Sequence, residues 1–313
     1  MNLRTLLDRF HRFLVTTHQG ADGDAIGSSL AFAHFLFSLK KQVFAVISDP
    51  LPDRYSRLLG EIEVRREVPI EARDSVLVSL DSSDLARTVV PDLSFYAYIV
   101  NMDHHSTNNN FGDWNIVQKE ASSTGEILAR LIIDEGFSCP KLVWDCLYLA
   151  IYSDTNGFRF KNTTPETLKV AAELLLRGAD AEISLIFSEL TLLDLKLLGE
   201  ALRNLQFEAP VAYTVLGYSL NLPEGFDSDY IMNVLKSWSL PGVYVLFKET
   251  QPGAFKVSMR AKSGIDLTRV AVLFGGGGHP AASGCTVKGS LEEVKDRVLE
   301  AIFHEIKSAR RLP

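Results

Sequence analysis

Apolar side chains at residues 3–11 recur with the spacing of a short amphipathic helix. The run RFLVTT at 12–17 then changes to the unbroken hydrophobicity of a buried strand, stopping at His18. After Asp24, residues 26–39 return to helical spacing with no proline and feed a second strand at 43–47. Strand, helix and strand in that succession predict a βαβ unit. Further β-branched and aromatic runs at 76–80 and 96–100 each close shortly before an acidic residue. A helix over 123–135 is ended by Gly136, and another over 140–152 leads directly to Asp154.

Leu-rich spacing over 166–207 predicts a mainly helical connector, after which the pattern changes. Strands at 212–218, 243–248 and 255–261 are separated by Pro-Gly turns at 241–242 and 252–253. A helix over 266–274 runs into four glycines, a strand follows at 285–288, and a last helix starts at Ser290 with Glu293 completing a capping box. The expected fold class is α/β. A mostly parallel N-terminal sheet with helices on both faces is joined to a smaller C-terminal α/β domain with a mixed sheet. The expected boundaries are 1–185, a helical linker at 186–210, and 211–313.

Composition narrows the functions. A chain of 313 residues that is 46% hydrophobic can build two cores. Its formal charge of −7 gives no basic field for holding long nucleic acid, so any nucleic-acid substrate is expected to be short. Three cysteines, Cys139, Cys146 and Cys285, form no CxxC pair and leave an odd one over, which suits a reducing compartment. No stretch reaches the roughly 18 apolar residues of a membrane span. The expectation is a cytoplasmic protein without membrane partners.

The candidate chemistry sits where the predicted strands end. In open parallel sheets, ligands bind beyond the carboxyl ends of the strands. His18, Asp22 and Asp24 follow the first strand, Asp81 the strand at 76–80, and Asp103, His104 and His105 the strand at 96–100. One or two imidazoles among several carboxylates is the donor mixture that Mn²⁺ or Mg²⁺ accepts. An acidic turn after a strand is often only solvated, and Asp81 could serve as a helix cap. Adjacent histidines beside an aspartate at a sheet edge are seldom needed for packing, and Asp154 at the end of an apolar helix is costly to desolvate without a cation or donors.

Together, HxxxDGDAIGS at 18–28, Asp81, DHH at 103–105, Asp154 and GGGGHPAASG at 275–284 resemble the DHH phosphoesterase superfamily with a DHHA1 C-terminal domain. Within it the chain is most similar to the oligoribonuclease (nanoRNase) and 3'-phosphoadenosine-5'-phosphate phosphatase subgroup. The resemblance implies two divalent cations, Mn²⁺ first with Mg²⁺ or Co²⁺ as alternatives. His18 and Asp22 would hold one, Asp24 and His104 the other, Asp81 would bridge them, and Asp154 would complete the second. Asp103 would orient a histidine, and His105 would meet the phosphate or the bridging water. The family often has proline where this chain has Ala21, a change that touches loop stiffness and not the ligands.

The substrate grip is expected from the second half. In FKVSMRA, Ser258 and Arg260 share the face opposite the core, and Arg260 can meet a phosphate as a fork donor. Glycines Gly276, Gly277 and Gly278 would let backbone N–H groups approach an anion, with His279 just beyond. Arg159, Ser123 and Thr124 are further substrate candidates. The implied reaction is hydrolysis of short oligoribonucleotides to 5'-mononucleotides and of 3'-phosphoadenosine 5'-phosphate to AMP, in a closed cleft between the two domains. Alternatives are an exopolyphosphatase, a linear or cyclic dinucleotide phosphodiesterase, or a nucleotide sensor with an idle site. A homodimer is also expected.

Overall fold

The computed structural model describes residues 1–90, 92–187, 190–222, 226, 228–262 and 264–309. Its contacts divide the chain into two compact units, Met1–Glu189 and Leu190–Pro313. The helix at 192–203, expected within a linker, falls in the second unit.

In the first unit the strands are β1 (Arg12–Thr16), β2 (Gln42–Val46), β3 (Val64–Arg65), β4 (Val76–Leu80), β5 (Tyr98–Asp103) and β6 (Trp114–Val117). They form one sheet in the order β3-β2-β1-β4-β5-β6, with every pairing parallel. The chain leaves β1 outward to β2 and β3, then returns to the other side of β1 as β4. A switch point therefore lies between β1 and β4, where the loops that follow them part to opposite sides and leave room for a ligand.

The helices are α1 (Leu3–Arg9), α2 (Gly23–Ser38), α3 (Thr124–Asp134), α4 (Lys141–Asp154) and α5 (Pro165–Leu176). All five share a core with one sheet face, through Phe13, Val15, Ala45, Val76, Val78, Val100 and Met102. The alternate residues Leu14, Val46 and Leu77 face the other way, toward Ala72 and Val90. That face is covered by short 3₁₀ turns at Ile70–Ala72, Leu85–Arg87 and Leu93–Phe95. The expected α/β class with a parallel sheet stands, and the detail of helices on both faces is refined. The segment between β4 and β5 carries aspartates whose side chains cap single turns, Asp84 and Asp92.

Expected bounds shift by a few residues, and near the site the shifts have local causes. α2 starts at Gly23, three residues early, because the Asp22 carboxylate caps it by accepting from the N–H groups of Asp24 and Ala25. β5 is displaced to Tyr98–Asp103, its last residues held by β6, which the sequence did not reveal. Arg12–Thr16 is the first strand, ending one residue before Thr17.

The second unit holds α6 (Leu192–Arg203), β7 (Gln206–Glu208), β8 (Val211–Leu216), α7 (Asp229–Ser237), β9 (Val243–Gln251), β10 (Ala254–Ala261), α8 (Leu267–Leu273), β11 (Gly277–His279), β12 (Ala282–Lys288) and α9 (Leu291–Ala309). Its sheet runs β11-β12-β10-β9-β8-β7, antiparallel except for β8 beside β9. One face packs on α8 and α9 through Val245, Phe247, Val257 and Met259, the other on α6 and α7 through Ala212, Tyr244 and Leu246. Ser290 and Glu293 form the expected reciprocal cap on α9. Among the described residues, no helix is long and apolar enough to cross a membrane.

Candidate metal centre

Each acidic or imidazole side chain of the centre is placed by the end of a regular element. His18 stands two residues beyond β1, with Nδ1 2.9 Å from the Gln19 carbonyl oxygen and Nε2 3.6 Å from Asp81 Oδ2. Asp22 is the α2 cap, and Asp24 lies in the first turn of the same helix, 1% exposed. Asp81 follows β4 with φ of +58°, a left-handed conformation that costs energy for a non-glycine residue. Its N–H donates to the Met102 carbonyl on β5, which helps hold that conformation. Asp103 ends β5, and Asp154 is the last residue of α4.

Three sets of donor atoms converge: Asp81 with His104 and His105, His18 with Asp22 and Asp81, and Asp24 with His104 and Asp154, each within 4.8 Å of one another. Asp81 is common to the first two and His104 to the first and third. His104 Nε2 lies 3.6 Å from Asp81 Oδ1, 3.6 Å from Asp154 Oδ2 and 4.0 Å from Asp24 Oδ2. Such separations exceed hydrogen-bond length. They match donors about 2.0–2.6 Å from a common cation, which stand roughly 3–4 Å apart. The donor set of carboxylates with imidazoles fits hard divalent ions.

The electrostatics point the same way. Burial, then the charges of Asp81 and Asp154, pushes Asp24 well above the usual carboxylate range. Asp154 is pushed to about 8, by burial first and by Asp22 and Asp81 next. Asp22 is raised too, by desolvation and then Asp81, although the residue keeps exposed surface. Only Asp81 moves down: burial opposes its charge, but His18, His104 and His105 outweigh burial. His105 is raised to about 9, chiefly by its hydrogen bond to Asp103. Carboxylates crowded so that burial and mutual repulsion disfavour their charged forms are the electrostatic complement of cations.

A further layer fixes these groups. The backbone N–H groups of Thr124 and Gly125, opening α3, donate to Asp24 Oδ2 and Oδ1 at 2.7 and 2.9 Å. The Thr124 hydroxyl donates to Asp81 Oδ1 at 2.9 Å. Asp103 Oδ1 accepts from His105 Nδ1 at 2.7 Å, and its Oδ2 from Asn108 Nδ2 at 2.6 Å. Asn162 Nδ2 donates to the Asp154 carbonyl at 3.1 Å and approaches its carboxylate at 3.5 Å. Asn108, Gly125 and Asn162 carry no sign of this role in the sequence pattern. Gly125 and Asp24 lie 101 residues apart in the chain, and no local pattern signals such a meeting.

The expected substrate residues fare differently. Ser123 is fully buried, and its hydroxyl caps α3 by accepting from the Glu126 N–H, so its chemistry is spent on the helix. Thr124 is also buried, and it turns toward Asp81. Arg159 is exposed just after α4. Ser258 and Arg260 alternate on β10 with buried Val257 and Met259, as the pattern predicts. The glycine run is a strand and not an open loop: Gly277, Gly278 and His279 pair with Gly284, Ser283 and Ala282. A Cβ on Gly276 would stand 2.1 Å from the Gly284 carbonyl oxygen, and one on Gly278 2.5 Å from that of Ala282, so both glycines permit close strand contact.

Comparisons with known proteins identify the family. The model of the DHH family, N-terminal domain, matches residues 12–151, and that of the DHHA1 domain matches 227–308. The bifunctional oligoribonuclease and PAP phosphatase NrnA of Thermus thermophilus is 33% identical, over 94% of this chain and 90% of the relative. The protein of the same name from Bacillus subtilis is 27% identical over 93% of each. The crystal structure of an exopolyphosphatase-related protein from Bacteroides fragilis superposes with a TM-score of 0.87 at 25% identity, covering 98% of this chain and 96% of the other. DHH phosphoesterases use divalent metals, for which the centre has the donors. The chain belongs to the DHH phosphoesterase family with a DHHA1 domain, and it is a hydrolase acting on phosphoester bonds.

Proposed function

We propose that the chain hydrolyses short oligoribonucleotides to 5'-mononucleotides and 3'-phosphoadenosine 5'-phosphate to AMP, with Mn²⁺ as the working ion. His18 and Asp22 would hold one cation, Asp24, His104 and Asp154 the other, and Asp81 would serve both. The sharing of Asp81 between two donor sets carries this reading, in a chain that aligns along 94% of its length with a relative whose name includes both activities. Two cations held there would lower the pKa of a water so that it could lose its proton near neutral pH, and would offset the charge of the phosphate.

The protein's own groups do the rest. Asp103 accepts from His105 Nδ1 and so fixes the orientation of the imidazole that would meet the phosphate. Thr124 and the N-terminus of α3 fix the carboxylates against the pull of the substrate. Ser258, Arg260, Gly276, Gly277, Gly278, His279 and Arg159 are assigned to the remainder of the nucleotide. Three free thiols suit the cytoplasm as the working compartment.

The test is product analysis of a 5'-labelled diribonucleotide with Mn²⁺-loaded protein. Conversion to mononucleotide is expected, with activity lost in Asp81→Ala and in His104→Ala; full activity in either variant rejects the metal assignment. Polyphosphate, pyrophosphate and linear dinucleotides in the same panel, ranked by kcat/KM, separate the competing phosphoesterase readings.

A further inference from the structure

The carboxyl edge of the first sheet carries a second concavity beside the metal centre, an open groove of about 780 Å³ at the ends of β2 and β3. Arg65 and Arg66 supply its charged side and Ser48 a polar contact, while Val68, Pro69 and Val89 give it an apolar wall. Arg65 is paired in register with Val46, and Val46 with Thr16 at the end of β1. Two strand spacings, about 10 Å in all, thus separate Arg65 from the strand that delivers His18.

The groove is tied directly to the metal-holding loop. Gly20 and Ala21 donate their N–H groups to Asp49 Oδ2 at 2.6 and 3.3 Å, and Asp49 is the neighbour of Ser48. Gln19 donates to the Arg87 carbonyl at 2.6 Å, two residues before Val89. Arg66 Nε donates to the Ser48 carbonyl at 3.1 Å, which anchors the guanidinium with one of its five N–H donors. Arg65 Nε stands 3.3 Å from Glu63, a pair exposed enough for an incoming phosphate to displace. Glu67 is the acidic residue of the lining, where two arginines outnumber it, and Glu63 lies beside Arg65 outside the lining.

We propose that this groove is a subsite for the nucleotide adjoining the one under hydrolysis. Arg65 and Arg66 receive the phosphate next along the chain from the one under attack, which in a 5'-phosphorylated dinucleotide is the terminal one, and Val68, Pro69 and Val89 meet the sugar or base. The inference rests on the short-oligonucleotide reading above and adds to it where the second nucleotide goes. Arginine is suited to the task because its planar fork pairs with two phosphate oxygens, and an apolar wall accepts any base.

The experiment compares two substrates in wild type and in the double variant Arg65→Gln/Arg66→Gln, both positions being exposed. One substrate is a di- to pentaribonucleotide series; the other is the p-nitrophenyl ester of thymidine 5'-phosphate, which has no adjoining nucleotide. Expected is a loss of about 10- to 100-fold in kcat/KM on the ribonucleotides, mainly through KM and with a weaker salt dependence, while the ester is unaffected. Equal kcat/KM on ribonucleotides in variant and wild type overturns the subsite and leaves the proposed activity standing. Equal losses on both substrates overturn it as well, since the arginines would then support the centre as a whole. A wild type that cleaves the ester but no ribonucleotide overturns the oligonucleotide reading and the subsite with it.

Discussion

At the level of single residues, the centre depends on side chains that touch no substrate. Thr124 Oγ1 donates to Asp81 while the Thr124 N–H donates to Asp24, so one residue sets the orientation of two carboxylates. Thr124→Val removes the first bond and keeps the second. We expect metal affinity or kcat to fall about 10- to 100-fold, with Thr124→Ser close to wild type, as read by metal titration and steady-state kinetics. The acidic and imidazole residues were legible in the sequence because each follows a strand or a helix at the same edge. Thr124 was noticed only as a substrate candidate. Its hydroxyl meets a carboxylate 43 residues away, a contact that local spacing does not encode.

Among the elements, legibility followed hydrophobic contrast. β1 and β4 are almost entirely buried and read as strands at once, whereas β6 is half-buried along its whole length and offers no contrast. β11 was hidden for another reason: two of its three residues are glycine, and its place in the sheet comes from close backbone approach with no apolar pattern to announce it. Gly278 is the sharper case, with φ of +138° and no room for a Cβ. Gly278→Ala is expected to destabilise the second unit by about 1–3 kcal/mol, seen as a lower denaturant midpoint. Gly277→Ala, where a Cβ meets nothing within 4 Å, is expected to be close to neutral.

For the whole molecule, the crowded carboxylates make stability depend on pH in a defined direction. Asp154, raised to about 8 from 3.8, and His105, raised to about 9 from 6.5, both bind protons more tightly in the folded state. Such groups stabilise the fold below their unfolded pKa values and lose that contribution as pH rises through the folded ones. Asp81 has the opposite sign, but its contribution is complete above the ordinary carboxylate range and constant from pH 5 upward. Metal-free protein should therefore melt at lower temperature as pH rises from about 5 to 9. Mn²⁺ should restore more stability at pH 8 than at pH 5.5, because cations displace protons from the same oxygens. Calorimetry across this range checks both, and a flat profile would contradict the arrangement.

Asp81 also stands on a backbone that glycine would adopt without strain and most side chains would not. The position proposed to serve both cations is thus held at a cost in backbone conformation. Glycine at this point would relieve the backbone but leave His18, His104 and Thr124 facing an empty place, so comfort of the chain alone would not make a sturdier protein.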